Sequence, residues 1–395
     1  MDKLIYMDNA ATTSTAPEVV SAMLPFFTEY YGNPSSVYNF AQKSKMAIED
    51  AREIIADSIG AAKSNEIYFT GGGSESDNWA LKSAAFGLRN KGNHIITTKI
   101  EHHAILNTCA YLEKNGFEIT YLDVDSEGFV SLEDVENAIT EKTILISVMF
   151  ANNEIGTIEP VCEIGEIAHM HGILFHTDAV QAMCHVPINV TEMNIDLLSA
   201  SAHKFHGPKG VGFMYMKNSA KLEPFIHGGA QERARRAGTS NVPGIVGMGQ
   251  AVKLALSTLD KDTHTIINMR NYIVDRILGE IPDVTFDGPC IDANAVSAGS
   301  PAGSLKRLPS NMHFCFKDVS GDSLLIMLDM NGICASSGSA CAAGSIDPSH
   351  VLLAIGRSKG ETKGALRLSI DKNLTKEDAD YAIDALKAAV ARLRG

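Results

Sequence analysis

The segment Ile144–Phe150 is an almost uninterrupted apolar run, ILISVMF. A strand with one wet face alternates apolar and polar residues, so a run without alternation needs cover on both faces. A sheet sandwiched between helices gives that cover, and the flanking sequence supplies the helices. His94–Thr98 reads as a strand and Ala104–Lys114 as a helix. Glu118–Leu122 is a further strand, and Ser131–Ile139 a helix opened by Ser131 with Asp134 three residues on. Cys162–His171 is helical, while Leu174–Thr177, Asp196–Ser199 and Val211–Met216 are strands. Short strands alternating with helices make βαβ units around a mostly parallel sheet, so the fold class is α/β.

The character changes beyond about residue 255. Helix Thr258–Leu278 is followed by Ile291–Pro309, a stretch rich in Ala, Ser, Gly and Pro that reads as a long exposed loop. Strand Met312–Phe316, helix Asp322–Asn331 and strand Ala365–Ser369 come next. The final helix opens at Thr375, with Ala379, Ile383, Leu386, Val390 and Leu393 at helical spacing. This is a smaller α+β unit, and 395 residues are enough for a large domain with such a satellite.

A formal net charge of −13 argues against a nucleic-acid backbone as partner. The start, MDKLIYMDNAATTS, has Asp2 and Asp8 and no apolar core of a secretory signal. The longest apolar stretch falls far short of the roughly 20 residues that cross a bilayer. The expectation is a cytoplasmic chain with no membrane partner. Seven cysteines do not read as a disulfide framework in so long a chain.

Four constellations carry chemistry. Asp178 lies just after one strand and Lys204 at the end of the next, at the carboxyl edge where open α/β sheets place ligands. As isolated residues they fit two surface groups; as a pair they fit pyridoxal 5'-phosphate, with Lys204 as the Schiff-base lysine and Asp178 on the pyridinium nitrogen. Second, Phe69–Asn78 runs strand, glycine turn, helix, so GGGS reads either as an ordinary turn or, with Ser201 and His203, as a phosphate cup. Third, Glu101-His102-His103 follows a strand. One flat imidazole over a planar cofactor asks less of the sequence than a metal site, for which no HExxH or CxxC is present. Fourth, Cys341 sits in SSGSACAAGS, small residues unsuited to a core, and is the one candidate reactive thiol. Cys109, Cys162, Cys184, Cys290, Cys315 and Cys334 read as buried and inert.

Taken in order, these pieces resemble the cysteine desulfurases of the NifS/IscS-like group, in the class-V aminotransferase branch of fold-type I enzymes. The resemblance runs through MDNAATT (7–13), YGNPSS (31–36), GGGSESDN (71–78), EHHA (101–104), NNEIG (152–156) and HTDAVQ (176–181). It continues through SAHKFHGPKG (201–210), HGGAQERARRAGTSN (227–241), SSGSACAAG (336–344) and RLS (367–369). SSGSAC before AAGSIDPSH is similar to the long-loop form. The resemblance implies a seven-stranded, mostly parallel sheet in a large domain (15–255). A small domain, formed by 1–14 and 256–395, carries the Cys341 loop. Gln181 would then bond the ring hydroxyl, His102 stack on the ring and assist proton transfer, and Asn153 lie beside it. Gly73, Ser74, Ser201 and His203 would hold the phosphate, and Thr239 would reach it from the other subunit of a homodimer. Asn33 and Arg367 would anchor the carboxylate of L-cysteine. Cys341 would take the sulfur as a persulfide, leave alanine, and pass the sulfur to an acceptor protein such as an iron–sulfur scaffold. The sequence ends at Arg392-Leu-Arg-Gly395 without the extension that IscS-like members turn toward their scaffold, which sets the acceptor apart as an open expectation.

Overall fold

A computed structural model describes residues 4–220, 222–291, 305–338 and 348–395. Cys341 and most of the 291–309 segment therefore lie outside the described residues. The strands in chain order are β1 (Ile5–Tyr6), β2 (Ile67–Thr70), β3 (His94–Thr98), β4 (Glu118–Leu122), β5 (Thr143–Ser147), β6 (Leu174–Asp178), β7 (Leu197–Ser201) and β8 (Gly212–Met216). Four more follow: β9 (Val284–Phe286), β10 (Asn311–Phe316), β11 (Ile333–Cys334) and β12 (Ala365–Ser369).

Strands β2 to β8 form one seven-stranded sheet in the order β2-β8-β7-β6-β5-β3-β4. Every neighbouring pair is parallel except those of β8, which runs antiparallel to β2 and β7. The absence of alternation in the 144–150 run is explained by packing. Ile146 joins the apolar core on one face with Phe175 and Phe213. Leu145 joins the core on the other with Trp79, Ile95 and Leu197. The strand itself ends at Ser147, earlier than the run of apolar residues, because Val148–Phe150 continue as buried irregular chain.

A second core gathers Ile5 and Met7 with Phe314, Leu324, Leu366 and Ile383. It lies about the antiparallel sheet β12-β10-β9 and the pair β1-β11. The helix expected from Thr258 starts at Val242 and runs to Glu280. The boundary at residue 255 thus falls inside a helix whose first part buries Ile245 and Met248 in the first core and whose last part buries Ile273 and Ile277 in the second. Its start is masked in the sequence by Gly244, Gly247 and Gly249, each costing about 1 kcal/mol of helix propensity. Packing overrides that cost: a Cβ on Gly249 would lie 2.8 Å from Ala51 Cβ, so glycine lets this helix close on helix Asn39–Ser58. The helix is long and apolar enough to cross a membrane by length and composition. Its burial in both cores accounts for that apolarity.

The 291–309 segment departs from the expected exposed loop at its end, where Arg307, Leu308 and Pro309 are buried. Arg307 donates to the carbonyls of Pro289, Asp287 and Asn311, which satisfies a buried guanidinium with backbone oxygens. Six cysteines are described. Cys109, Cys184 and Cys315 are buried as expected, Cys162 and Cys334 are half-buried, and Cys290 is exposed. Cys290 is exposed between Phe286 and Ile291, both of which pack against the second core.

Candidate active site

Because β2, β3, β5, β6 and β7 all run the same way, their carboxyl ends lie along one edge of the large sheet. This is why motifs far apart in sequence meet. Asp178 ends β6, Ser201 ends β7, and the turn Ala202–Lys204 follows directly. Gly71–Gly73 follow β2, and His102 follows β3. A cavity of about 310 Å³ is lined by Gly73, Ser74, His102, Asn153, Asp178, Gln181, Ser201, His203, Lys204 and Arg367. Ten of the residues singled out in the sequence therefore converge.

At one end lies an anion cup. Helix Gly73–Gly87 starts on it, so its unpaired N–H groups face the space. Gly72 has φ 146°, a conformation that favours glycine, and a Cβ on Gly73 would stand 2.5 Å from Val180 Cγ2. Thr12, Ser74, Ser201, His203 and Lys209 line the adjoining space of about 510 Å³. The turn is braced by Thr70 Oγ1 and Ser76 Oγ, 2.8 Å apart, and by Ser76 Oγ donating to the Phe213 carbonyl. Burial, with Lys204 and Lys209 adding to it, drives the His203 ring down to about 4, so it is neutral at pH 7.

At the other end, Asp178 Oδ1 accepts from the Val180 amide at 2.9 Å. Burial raises its carboxyl, against the pull of His102, the Val180 amide and Lys204. Lys204 Nζ donates to the carbonyls of Ala10 at 2.7 Å and Ala11 at 2.8 Å. Gln181 Nε2 donates to the same Ala10 oxygen at 3.0 Å. His102 caps helix His103–Glu113, its Nδ1 accepting from the Ala104 amide at 3.1 Å. In the neutral ring the proton then sits on Nε2.

Arg367, 2 % exposed, closes the far side. Its Nη2 meets Asp8 Oδ1 at 2.8 Å, and its Nη1 donates to the carbonyls of Asn153 and Gly338. Its Nε is buried without a partner among the described residues. A guanidinium so placed still has donor capacity toward a carboxylate in the cavity.

Two expected residues stand apart. Asn33 is exposed, its Oδ1 taken by the Ser35 amide, and Thr239 is exposed; neither lines the cavity of this chain. Sequence reasoning also missed residues that do: Asp77 on the Gly73–Gly87 helix, and the carbonyls of Ala10 and Ala11. Asp8, which pairs with Arg367, was missed as well. The signal for Asp8, Ala10 and Ala11 was the MDNAATT motif itself. Asp77 is 1 % exposed, and burial, with Asp178 adding to it, holds its carboxyl well above the ordinary range.

A cup of glycine amides, hydroxyls and a lysine beside a flat slot with a lysine amine and a buried carboxylate fits a planar, phosphorylated pyridine aldehyde. These residues fit pyridoxal phosphate. Residues 5–382 match the family model of aminotransferase class-V, and the chain belongs to that family. It is 54% identical over 394 residues to a cysteine desulfurase IscS of Clostridium botulinum, covering 100% of this chain and 96% of that one. Among solved structures it is similar to a NifS-like protein, with a TM-score of 0.89, 35% identity and coverage of 99% and 100%. It is also similar to SspA in complex with cysteine, with a TM-score of 0.79, 38% identity and coverage of 94% and 100%.

Proposed function

We infer that this protein is a pyridoxal-phosphate-dependent cysteine desulfurase that takes sulfur from L-cysteine, leaving L-alanine. The observation that carries the reading is the meeting of Lys204 and Asp178, from the ends of adjacent parallel strands, in one cavity with the glycine cup. Lys204 would hold the cofactor through its amine, Asp178 would pair with the ring nitrogen and Gln181 with the ring hydroxyl. Gly73, Ser74, Ser201 and His203 would take the phosphate, with Lys209 and Thr12 beside them. The cofactor, when bound, supplies an electron sink that makes the substrate's β-carbon–sulfur bond labile.

The chain's own groups do the rest. Arg367 orients the substrate carboxylate, and the Asp8 carboxylate fixes the plane of that guanidinium. His102 Nε2 and Lys204 Nζ are the groups that move the substrate's α-proton, and His102 is flat enough to cover a ring beside Asn153. The thiolate of Cys341 attacks the substrate sulfur. The carbon–sulfur bond breaks, a sulfur–sulfur bond forms, and L-cysteine plus the Cys341 thiol become L-alanine plus a Cys341 persulfide. The terminal sulfur then passes to an acceptor, a scaffold for iron–sulfur assembly or another sulfur-handling protein.

The large domain of 15–255 and the small domain of 1–14 with 256–395 stand on this reading as the cofactor-holding and the sulfur-carrying halves. A homodimer belongs to it too. Leu24, Phe27, Tyr31, Val37, Tyr38 and Phe40 are exposed within one short stretch, an apolar surface of the kind that is covered in an assembly. Thr239 and Asn33, outside the lining of their own cavity, can then act at the second subunit's. A cytoplasmic setting suits the thiol chemistry.

The test is to incubate the purified protein with L-cysteine and a dithiol and to measure alanine and sulfide together. Equal amounts are expected, with a visible cofactor band. Pyruvate and ammonia in place of alanine point instead to a β-lyase. Cys341→Ala should keep the band and lose sulfur release; full alanine production by that variant without added thiol sinks the role of Cys341.

A further inference from the structure

A second acid, Asp77, lines the same cavity as Asp178. It stands on helix Gly73–Gly87, one turn in from the glycine cup. The residue is buried, and its Oδ1 has no hydrogen-bond partner among the described residues. The basic group beside it is His176, whose Nε2 lies 3.7 Å from that oxygen. Both ring nitrogens of His176 are already committed. Nδ1 lies 2.9 Å from Ser147 Oγ on β5, and Nε2 lies 3.1 Å from Ser199 Oγ on β7. Burial drives this imidazole down to about 3, so it is neutral at pH 7 and gives Asp77 no countercharge.

Asp178 is placed differently. It accepts from the Val180 amide at 2.9 Å, and His102 and Lys204 draw it toward its charged form. The ionisable groups that act on Asp77 are the acids Asp178 and Glu101. Glu101 is buried as well. Its Oε1 accepts from the Thr98 hydroxyl and the Met149 amide, both at 2.9 Å, and its Oε2 has no partner among the described residues. Burial and then Asp178 raise the Asp77 carboxyl, the Ser199 hydroxyl lowers it, and Glu101 raises it further. Across the cavity stand His102, His203, Lys204 and Arg367, the last already paired with Asp8. Three carboxyls so close together and out of reach of water are not all ionised, because an unpaired buried charge is costly. The charge settles where donors and cations are, on Asp178.

We propose that Asp77 is a positioning residue for the cofactor, an uncharged carboxyl whose retained proton leaves the negative charge of the ring-nitrogen end of the cavity on Asp178 alone. The proposal rests on the pyridoxal phosphate reading above. One protonated ring nitrogen is balanced by one carboxylate. A second anion at this wall would repel the charge on Asp178 and raise its proton affinity, making it a competitor for the ring's proton rather than an acceptor of its N–H. A neutral acid avoids that conflict and still fills the wall with a polar group.

The test uses the full chain and two readouts: the infrared carbonyl stretch of protonated carboxyls in the cofactor-free protein at pH 7, and the dissociation constant of added pyridoxal phosphate. One carboxyl's share of the infrared band should disappear in Asp77→Asn and persist in Asp178→Asn. A band undiminished in Asp77→Asn, or diminished in Asp178→Asn, overturns the placement of the proton. Asn copies the shape and the neutrality of the acid, so Asp77→Asn should bind the cofactor within about threefold of the wild type, the scale of one exchanged neutral hydrogen bond. Weaker binding than that means that a charge was needed at Asp77, and the proposal fails. Asp77→Ala removes the polar group and should weaken cofactor binding roughly tenfold, the scale of a buried polar partner lost. Should the Ala variant not fold, the Asn variant still decides. A lower melting temperature in Asp77→Ala with wild-type cofactor affinity marks a merely structural role and also overturns the proposal. A wild type that takes up no pyridoxal phosphate removes the cofactor reading itself, a failure distinct from the infrared result on the cofactor-free protein.

Discussion

The two walls of the cavity handle buried charge in opposite ways. On the large-sheet side, acids are buried close to one another. Asp77 and Glu101 sit deep behind Asp178, each with one carboxylate oxygen lacking a partner among the described residues, and burial holds both well above the ordinary carboxylate range. On the small-sheet side, charges come in pairs: Arg367 of the lining with Asp8, and, outside the lining, Arg357 with Asp287 beside His313. A wall of buried, fixed hydrogen-bonding groups is preorganised and does not rearrange when a ligand arrives. A wall of ion pairs is exchangeable, since an incoming carboxylate can share a guanidinium already held in place. The contrast supports the proposal that the first wall takes the cofactor and the second the substrate's charge.

Lys204→Ala breaks the comparison hardest. It should abolish turnover, roughly a thousandfold or more, the range for loss of a positioned proton carrier, and change the cofactor's absorption spectrum. Asp178→Asn should lose activity while the fold, read by circular dichroism, is kept. The exchangeable wall predicts a different signature. Arg367→Lys should raise KM for L-cysteine about tenfold or more, because a bidentate fork is lost. Asp8→Asn should raise KM by less, about threefold, with kcat nearly unchanged in steady-state assays; a fall in kcat alone would count against its pairing role.

Glu159 sharpens the point about buried acids in stability. Burial raises it to about 8, although the Val130 amide donates to it. Its folded value lies above the unfolded value of about 4.3, so the native state binds the extra proton. The stabilisation this gives is complete below about pH 4.3 and is lost as pH rises through 8. Glu159→Gln, a mimic of the neutral acid, should match the wild type near pH 4 and melt higher at pH 9. The smallest effect is expected at the surface. Lys142 and Glu118 are both well exposed at 3.5 Å, and Glu118→Ala should change stability by no more than about 0.5 kcal/mol in denaturant titration.

Much of this wall-by-wall picture was legible in the chain. The residue types at Asp178, Lys204, His102 and Gly71–Ser74 announced their chemistry, because strand ends and glycine turns have local signals. The helix from Val242 was hidden by its glycines, whose use is close approach to Ala51, a contact between residues almost two hundred positions apart. The burial of Arg307 was equally hidden, since a loop-like composition says nothing of carbonyls waiting to receive a guanidinium. Asp77 looked like an ordinary helix acid; only its surroundings make it unusual.

The sequence by itself determined the class of fold and the chemistry of the reacting groups, since both depend on periodicity and on residue type at short range. The tertiary structure decided which acids lie beyond the reach of water and which cation pairs with which anion. Those are properties of distance and dielectric, and a chain acquires them only when remote segments pack.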